Sequence, residues 1–375
     1  MLSRLKFDLS ETISTMLEYI PESVWTSKKT TFCDFEMGGG QFITAVVEKL
    51  KTYGHSDKNI QSRVYGFSEN ELYLSYVLGG QIIGTFDIYK ENKHSNMKFD
   101  VIVGNPPYQI QVGPNKTEPI WHKFVQKSFN HLNEGGYLSL IHPSGWRNID
   151  GRFKKIQKLL LSKQIYYLEM HNINDGIKTF GAETRYDWYI LKNQPSTEKT
   201  HIRFEDGSEG WYDISNMDFI PNYNIEKITA LLAKKNEETV EVLYSCDYHT
   251  QHSYISREKT DGFIYPIISL VRKSGETEFM WSNIIPNDYF SKPKIVWSNT
   301  RLISTGYFID NEGAYGLNQF NYAIVDNTEN LEKIKKSMQT QKFIDVMSSL
   351  ITGGFPSLNY KILKQFRKDF WKEFI

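Results

Sequence analysis

The sequence predicts an α/β fold built on a largely parallel sheet, followed by a less regular second half. Three observations carry this. Short apolar runs alternate with helical stretches through the first 195 residues. The strongest run, Phe99-Asp100-Val101-Ile102-Val103-Gly104, is largely apolar on both faces, as a central parallel strand must be. After the polar, proline-broken segment Asn193-Gln194-Pro195-Ser196-Thr197-Glu198-Lys199 the alternation stops, which makes that segment the expected domain boundary.

Taken in order, Thr30 to Asp34 is β-prone and ends in an acid, and the glycine run Gly38-Gly39-Gly40 leads into a helical stretch from Gln41 to about Tyr53. Arg63 to Phe67 reads as a second strand, Glu69 to Leu78 as a helix, and Gln81 to Gly84 as a third strand. Phe99 to Gly104 follows as the fourth. Trp121, Phe124, Val125, Phe129 and Leu132 recur at helical spacing. Tyr137 to Ile141 is a fifth strand, Phe153 to Leu161 a helix with a basic face, and Ile165 to Glu169 and Trp188 to Leu191 are later strands. Beyond the boundary the clear helical pieces are Ile225 to Lys235, Glu329 to Met338 and Gln341 to Leu350.

A chain of 375 residues has room for two domains, and its composition is globular, with 40% hydrophobic and 23% charged residues. Lys plus Arg equals Asp plus Glu at 44 each, so binding to nucleic acid mainly through bulk charge is not expected, whereas a local basic cleft stays open. Two cysteines, Cys33 and Cys246, are too few for a disulfide framework or a cysteine-rich zinc site. No His/Cys/Asp cluster has ligand spacing, so no metal is expected. No apolar run is long enough to span a membrane, and the N-terminus lacks the apolar stretch of a signal peptide, which makes the cytoplasm the expected compartment. The 23 Tyr, 23 Phe and 8 Trp suit a surface for flat ligands, although genome composition also inflates Phe and Tyr.

Asn105-Pro106-Pro107-Tyr108 directly follows the fourth strand. Two prolines cannot continue a strand ladder, so they freeze an extended turn at the strand's carboxyl end, the edge of an open α/β sheet where ligands bind. The turn offers an amide side chain, the Pro106 carbonyl and an aromatic ring. Asn105 and the carbonyl can accept the two hydrogens of an exocyclic amine while Tyr108 stacks on its ring. At the end of the first strand, Asp34-Phe35-Glu36-Met37-Gly38-Gly39-Gly40 lets backbone approach a nucleotide-like ligand ahead of a helix N-terminus. Tyr65-Gly66-Phe67-Ser68-Glu69 ends the second strand with a polar or acidic group, where a doubly wound fold holds a ribose diol.

These three segments, in this order and spacing, resemble the class I S-adenosylmethionine-dependent methyltransferases. More narrowly they resemble the DNA N6-adenine methyltransferases of restriction–modification systems, with the catalytic domain first and the target-recognition domain last. The resemblance covers residues 10 to 195 by motif and the remainder by size and position. It implies a Rossmann-like class I methyltransferase sheet over residues 1–195 and an α+β DNA target-recognition domain over 196–375. Carried over residue by residue, it makes Asn105, Pro106, Pro107 and Tyr108 catalytic. Asp34, Gly38 and Gly40 match the family's D-x-x-x-G-x-G cofactor loop, with Phe35 in place of its usual proline and Met37 in place of its usual Phe or Cys. Ser68 occupies the position of the family's ribose-binding acid, with Glu69 beside it, and Asp87 matches the acid at the cofactor's adenine. Phe180, in Phe180-Gly181-Ala182-Glu183-Thr184-Arg185-Tyr186, matches the aromatic that clamps the base opposite Tyr108. Gly135 to Ser144 matches the strand after the catalytic loop, and Thr12 to Leu17 the helix that closes over the cofactor.

The resemblance further implies S-adenosylmethionine as cofactor, double-stranded DNA as partner, an extruded adenine as target, and room for a separate cognate restriction endonuclease. Arg147, Arg152, Lys154, Lys155 and Lys158 beside the catalytic loop, and Lys292, Lys294, Arg301, Lys361, Lys364, Arg367, Lys368 and Lys372 in the tail, are candidate phosphate contacts. Trp297 to Arg301 and Gly353 to Asn359 are candidate DNA-facing loops. Because the same four-residue loop serves methyltransferases of RNA and of a protein glutamine amide, those substrates stay open. The other readings are the modification half of a fused restriction enzyme, for which about 30 residues before the cofactor loop leave no nuclease-length domain, and a non-enzymatic DNA-binding relic.

Overall fold

A computed structural model describes residues 9–67, 81–84, 96–299, 306–352 and 360–375. The expected helix 69–78, Ser68, Glu69, Asp87, Arg301 and the segment 353–359 lie outside the described residues. The chain forms two compact units, Met1–Ile220 and Pro221–Ile375.

The first unit is built on a nine-stranded mixed sheet. α1 (Ser10–Glu18) and α2 (Glu22–Thr26) precede β1 (Phe32–Asp34), which is followed by α3 (Gln41–Thr52). Gly40 caps α3 in the left-handed region at φ 80°, a conformation that suits glycine. Phe42, Ile43, Val46, Val47 and Leu50 then recur at helical spacing and bury one face, and Lys49 and Lys51 complement the dipole in the last turn. After α4 (Asp57–Gln61), β2 (Val64–Phe67) and β3 (Gln81–Gly84) pair outward from β1, each parallel to its neighbour. The chain then returns to the other side of β1 as β4 (Phe99–Gly104), also parallel. The direction of winding therefore reverses between β1 and β4, and the carboxyl ends of these two strands flank the crevice where an open sheet binds its ligand.

An antiparallel hairpin of β5 (Gln109–Gly113) and β6 (Lys116–Pro119) stands apart from the sheet, followed by α5 (Trp121–His131). β7 (Leu132–Pro143) pairs parallel to β4. α6 (Lys154–Leu161) leads to β8 (Lys163–His171), and α7 (Ile173–Phe180) leads to β9 (Tyr186–Pro195), which inserts antiparallel between β7 and β8. Neither the hairpin nor α7 was expected from periodicity. α7 is set by a local signal, a capping box in which Asn172 and Asp175 satisfy each other's backbone N–H, and it stops at Gly181 with φ 64°.

The boundary of the first unit falls after Ile220, not at Pro195. β10 (Thr200–Arg203) pairs parallel to β8, and β11 (Glu209–Tyr212) pairs with β10, so the sheet continues across the polar segment. Pro195 sits at the last residue of β9, where a missing N–H is tolerated. The turn after it is held from within: the buried Gln164 side chain accepts N–H bonds from Thr197 and Glu198 at 2.8 and 2.9 Å. Ile202 and Phe204 are buried. Polar composition here marks a turn within a sheet rather than a linker between domains.

The second unit is α+β. One four-stranded sheet contains β12 (Glu241–Leu243), β16 (Lys294–Ser298), β17 (Phe308–Asp310) and β19 (Asn321–Val325). Another contains β13 (Ile255–Ser256), β14 (Tyr265–Val271), β15 (Thr277–Ser282) and β18 (Gly316–Leu317). α8 (Ile225–Leu231), α9 (Thr328–Met338) and α10 (Gln341–Ser348) lie close to the helices expected from periodicity, and α11 (Tyr360–Leu363) completes the unit as a helix that periodicity did not predict. Leu243, Ile268, Val271, Val296, Leu317 and Ala323 form one apolar core. Among the described residues no helix is long and apolar enough to cross a membrane.

Candidate active site

The site is assembled where β1 and β4 end. Asp34, the last residue of β1, is buried and accepts the Glu36 backbone N–H at 3.0 Å. Burial, with the nearby Glu36 carboxylate, pushes the Asp34 carboxyl up to about 7, against the lowering effect of that N–H. Gly104, the last residue of β4, packs directly on the Asp34 carboxylate. Its φ of 155° and the lack of room for a Cβ make glycine the residue that fits there.

The four residues after Gly104 form the predicted turn. The Asn105 Oδ1 atom is buried and has no hydrogen-bond partner among the described residues. The Tyr108 carbonyl accepts the Ile120 N–H at 3.0 Å, which ties the turn to the foot of the hairpin. The Tyr108 hydroxyl is also buried without a partner among the described residues, and burial together with Tyr186 and Asp187 drives it well above the ordinary tyrosine range. Its ring meets Phe180 edge to face, with centroids 5.6 Å apart, and Phe180 in turn packs against Tyr186 at 4.9 Å. The two aromatics predicted as a clamp are thus brought together, in contact with each other.

A cavity of about 800 Å³ opens over this turn. Glu36 and Gly38 line one part, Asn105 to Tyr108 another, Gln109, Thr117 and Pro119 a third, and Trp121, Phe153 and the loop after Phe180 much of the remainder. Gly38 and Gly40 have positive φ, 48° and 80°. A Cβ at Gly38 or Gly39 would meet no heavy atom within 4 Å, so the loop presents bare backbone to open space, as close approach of a nucleotide-like group requires. A second cavity of about 550 Å³ between α1 and α3 is lined by Ser10, Ser14, Gly39, Gln41 and Thr44, beside the predicted closing helix. Two loop residues point elsewhere. Phe35 turns into the core against Phe67, Phe99 and His131. Met37 is buried across Gly66, where a Cβ would strike its sulfur.

Behind the site, His142 is fully buried, stacked on Trp121 at 4.4 Å, with Nε2 3.2 Å from the Tyr189 hydroxyl and Nδ1 3.1 Å from the Pro143 carbonyl. Burial lowers its pKa to about 4, which keeps the ring neutral. Arg147, expected as a phosphate contact, is fully buried instead. It donates Nε to Asp187 at 2.9 Å and pairs with Glu205 at 3.5 Å, while Trp146 donates to the same Asp187 oxygen. Burial lifts Asp187 above the ordinary carboxylate range despite these partners. Lys294 is likewise removed from any surface role, buried on Asp310 at 2.6 Å. Lys292, Arg367, Lys368 and Lys372 are each in ion pairs with neighbouring acids. Sequence reading missed Glu36, Gln109, Thr117, Trp121 and Phe153 as lining residues. The turn signal Gly113-Pro114-Asn115 would have revealed the hairpin that carries two of them.

Residues 21–177 match the Eco57I restriction-modification methylase family. The resemblance read from the motifs holds over that stretch. A 115-residue segment is 32% identical to the modification methylase CviBIII of Paramecium bursaria Chlorella virus NC1A, covering 28% of this chain and 29% of that one. An uncharacterized adenine-specific methylase of Mycoplasma pneumoniae is 29% identical over 119 residues, 28% of this chain and 27% of its own. The type II restriction enzyme and methyltransferase RM.Eco57I of Escherichia coli is 22% identical over 280 residues, 58% of this chain and 28% of its own. The chain thus spans under a third of the length of each of these curated relatives. Among solved structures, the ATP-dependent type ISP restriction-modification enzyme LlaBIII, bound to DNA, aligns over 99% of this chain and 39% of its own with a TM-score of 0.51 at 11% identity, a likeness of fold. The expected architecture, an α/β unit on a largely parallel sheet followed by an α+β unit, is the one observed.

Proposed function

We propose that this chain transfers a methyl group from S-adenosylmethionine to the N6 amine of an adenine extruded from duplex DNA, at a defined sequence and within a restriction–modification system. The observation that carries the reading is the Asn105 side-chain oxygen, a buried acceptor without a donor among the described residues, on a proline-fixed turn beside an aromatic ring. Leaving such an atom unsatisfied costs about 1–3 kcal/mol, which an amine N–H of the substrate would recover. The family match and the relatives named as methylases support the same chemistry.

S-adenosylmethionine supplies an electrophilic sulfonium methyl. The chain's own part is to hold and orient. The backbone of Gly38 to Gly40 and the start of α3 would carry the cofactor, with Ser68 or Glu69 on the ribose and Asp87 at the adenine as further proposed contacts. The roles proposed for Phe35 and Met37 reduce to shaping the loop from beneath. Asn105 and the Pro106 carbonyl accept the two amine hydrogens, which favours a more tetrahedral nitrogen and exposes its lone pair. Positioning of the amine supplies most of the rate. Tyr108 and Phe180 replace the stacking that the extruded base loses, about 1–3 kcal/mol for each aromatic contact. A base held between them needs about 7–8 Å from ring to ring, twice a van der Waals contact, so the pair must part from its 5.6 Å separation to admit one. The second unit is proposed as the reader of the DNA sequence. A separate cognate nuclease as partner fits the same setting.

The test is methyl transfer from labelled cofactor to plasmid DNA, to structured RNA and to a glutamine-bearing protein, followed by sequencing for N6-methyladenine. Label in DNA at one repeated sequence is expected. Label confined to RNA or protein overturns the reading.

A further inference from the structure

The β5–β6 hairpin begins at the residue after Tyr108 and ends just before Ile120, whose N–H binds the Tyr108 carbonyl. Among the described residues its two strands pair only with each other. Side chains alternate along a strand, and the two faces of this hairpin differ. Gln109, Thr117 and Pro119 face the cavity. Ile110 points the other way, opposite Glu118, and Val112 sits at a bulge between Gln111 and Gly113; the two stand 39% and 47% exposed. The tip is stiffened from inside, because the Gln111 Nε2 donates to the carbonyls of Gly113 and Pro114 at 3.3 and 3.4 Å. Its charges cancel: Lys116 pairs with Glu118 at 3.2 Å. A braced projection with no net charge, carrying two exposed aliphatic side chains beside a Lys116–Glu118 ion pair, is ill suited to phosphate and better suited to a base stack.

We infer that this hairpin is a wedge that occupies the space an extruded base leaves in duplex DNA, with Ile110 and Val112 as the inserted side chains. The inference rests on the reading of the adjoining cavity as the pocket for that base. An extruded nucleotide stays covalently joined to its strand, so the gap it leaves lies within a nucleotide's reach of the pocket. Ile110 is two residues, roughly 7 Å of strand, from Tyr108. Apolar side chains that enter a base step offset the cost of unstacking, which is a few kcal/mol. They also keep the base from returning. The stiff tip means that little ordering entropy is lost on insertion.

The experiment compares wild type with Ile110→Ser/Val112→Ser on two duplexes of the recognised sequence, one fully paired and one with an abasic site opposite the target adenine. Both side chains are exposed, so unchanged melting is the control for folding. The variant should lose at least about tenfold in kcat/KM on the paired duplex and recover to near wild type on the abasic one, where extrusion is already cheap. Cofactor affinity should not move, and Ile110→Leu/Val112→Leu should behave as wild type. Equal loss on both duplexes, or no loss on either, overturns the wedge. Failure of wild type to methylate either duplex would instead strike the proposed function.

Discussion

Gly104 lies against the Asp34 carboxylate so closely that a Cβ on Gly104 would sit 2.7 Å from Asp34 Oδ1. This contact joins the last residue of β4 to the last residue of β1 and sets the position of Asn105 relative to the glycine loop. Gly104→Ala should therefore cost about 1–3 kcal/mol of stability through steric and backbone strain, and should lower methyl transfer by displacing Asn105. Thermal melting and single-turnover methylation measured together check this. A variant with native melting and native rate would show that the two strand ends are not coupled.

Asn105→Ala removes the unpartnered acceptor and leaves the ring. Methyl transfer should fall by about 2.7–4 kcal/mol of barrier, by analogy with the loss of one oriented polar group. Affinity for cofactor and DNA should stay near wild type, and stability should not drop, since a buried unsatisfied atom is deleted. Filter binding and calorimetry separate these effects.

Tyr108→Phe removes a buried hydroxyl that has no partner among the described residues, so its activity should match wild type and its stability should equal or exceed it. Tyr108→Ala deletes the partner of Phe180 and should weaken both base capture and turnover. A 2-aminopurine at the target position reports capture, because its fluorescence rises on unstacking and is quenched against a ring.

His142 has a folded pKa of about 4 against 6.5 for a free ring. A depressed folded pKa contributes stability above the unfolded value, and that stability is lost as pH falls from about 6.5 toward 4. The full loss is roughly 3 kcal/mol for this ring. Urea melts at pH 7 and pH 4.5 should show the decline, and His142→Phe should flatten that part of it.

A protein ending at Ile220 should melt cooperatively and bind cofactor, but should methylate without sequence selectivity. One ending at Pro195 should be strongly destabilised, because it strips β10 and β11 from the sheet and removes Glu205 from the buried Arg147 and from Arg185. Breaking a buried pair in this way costs about 3–5 kcal/mol. Circular dichroism melts of the two truncated proteins decide where the unit ends.

Local chemistry in the chain determined the alternation of strands and helices, the glycine loop before α3, and the proline turn after β4, because apolar period, left-handed glycine and proline act within a few residues. It also determined that Asn105 and Tyr108 stand at a strand's carboxyl end. Only the tertiary structure decided the order of the strands, and with it the reversal between β1 and β4 that brings Asp34 against Gly104. It alone separated the surface cations from Arg147 and Lys294, since burial of a charge depends on partners such as Asp187 and Asp310, 40 and 16 residues away in the chain. It carried the sheet past Pro195 to β11, because pairing with β8 and support from Gln164 outweigh the polar composition of the turn. Tyr108 and Phe180 are similarly far apart in sequence, and their contact exists only because β9 inserts antiparallel beside β7 and returns the end of α7 to the site. Pairing of this kind is non-local and is set by the summed burial of many side chains, so no short window of sequence contains it.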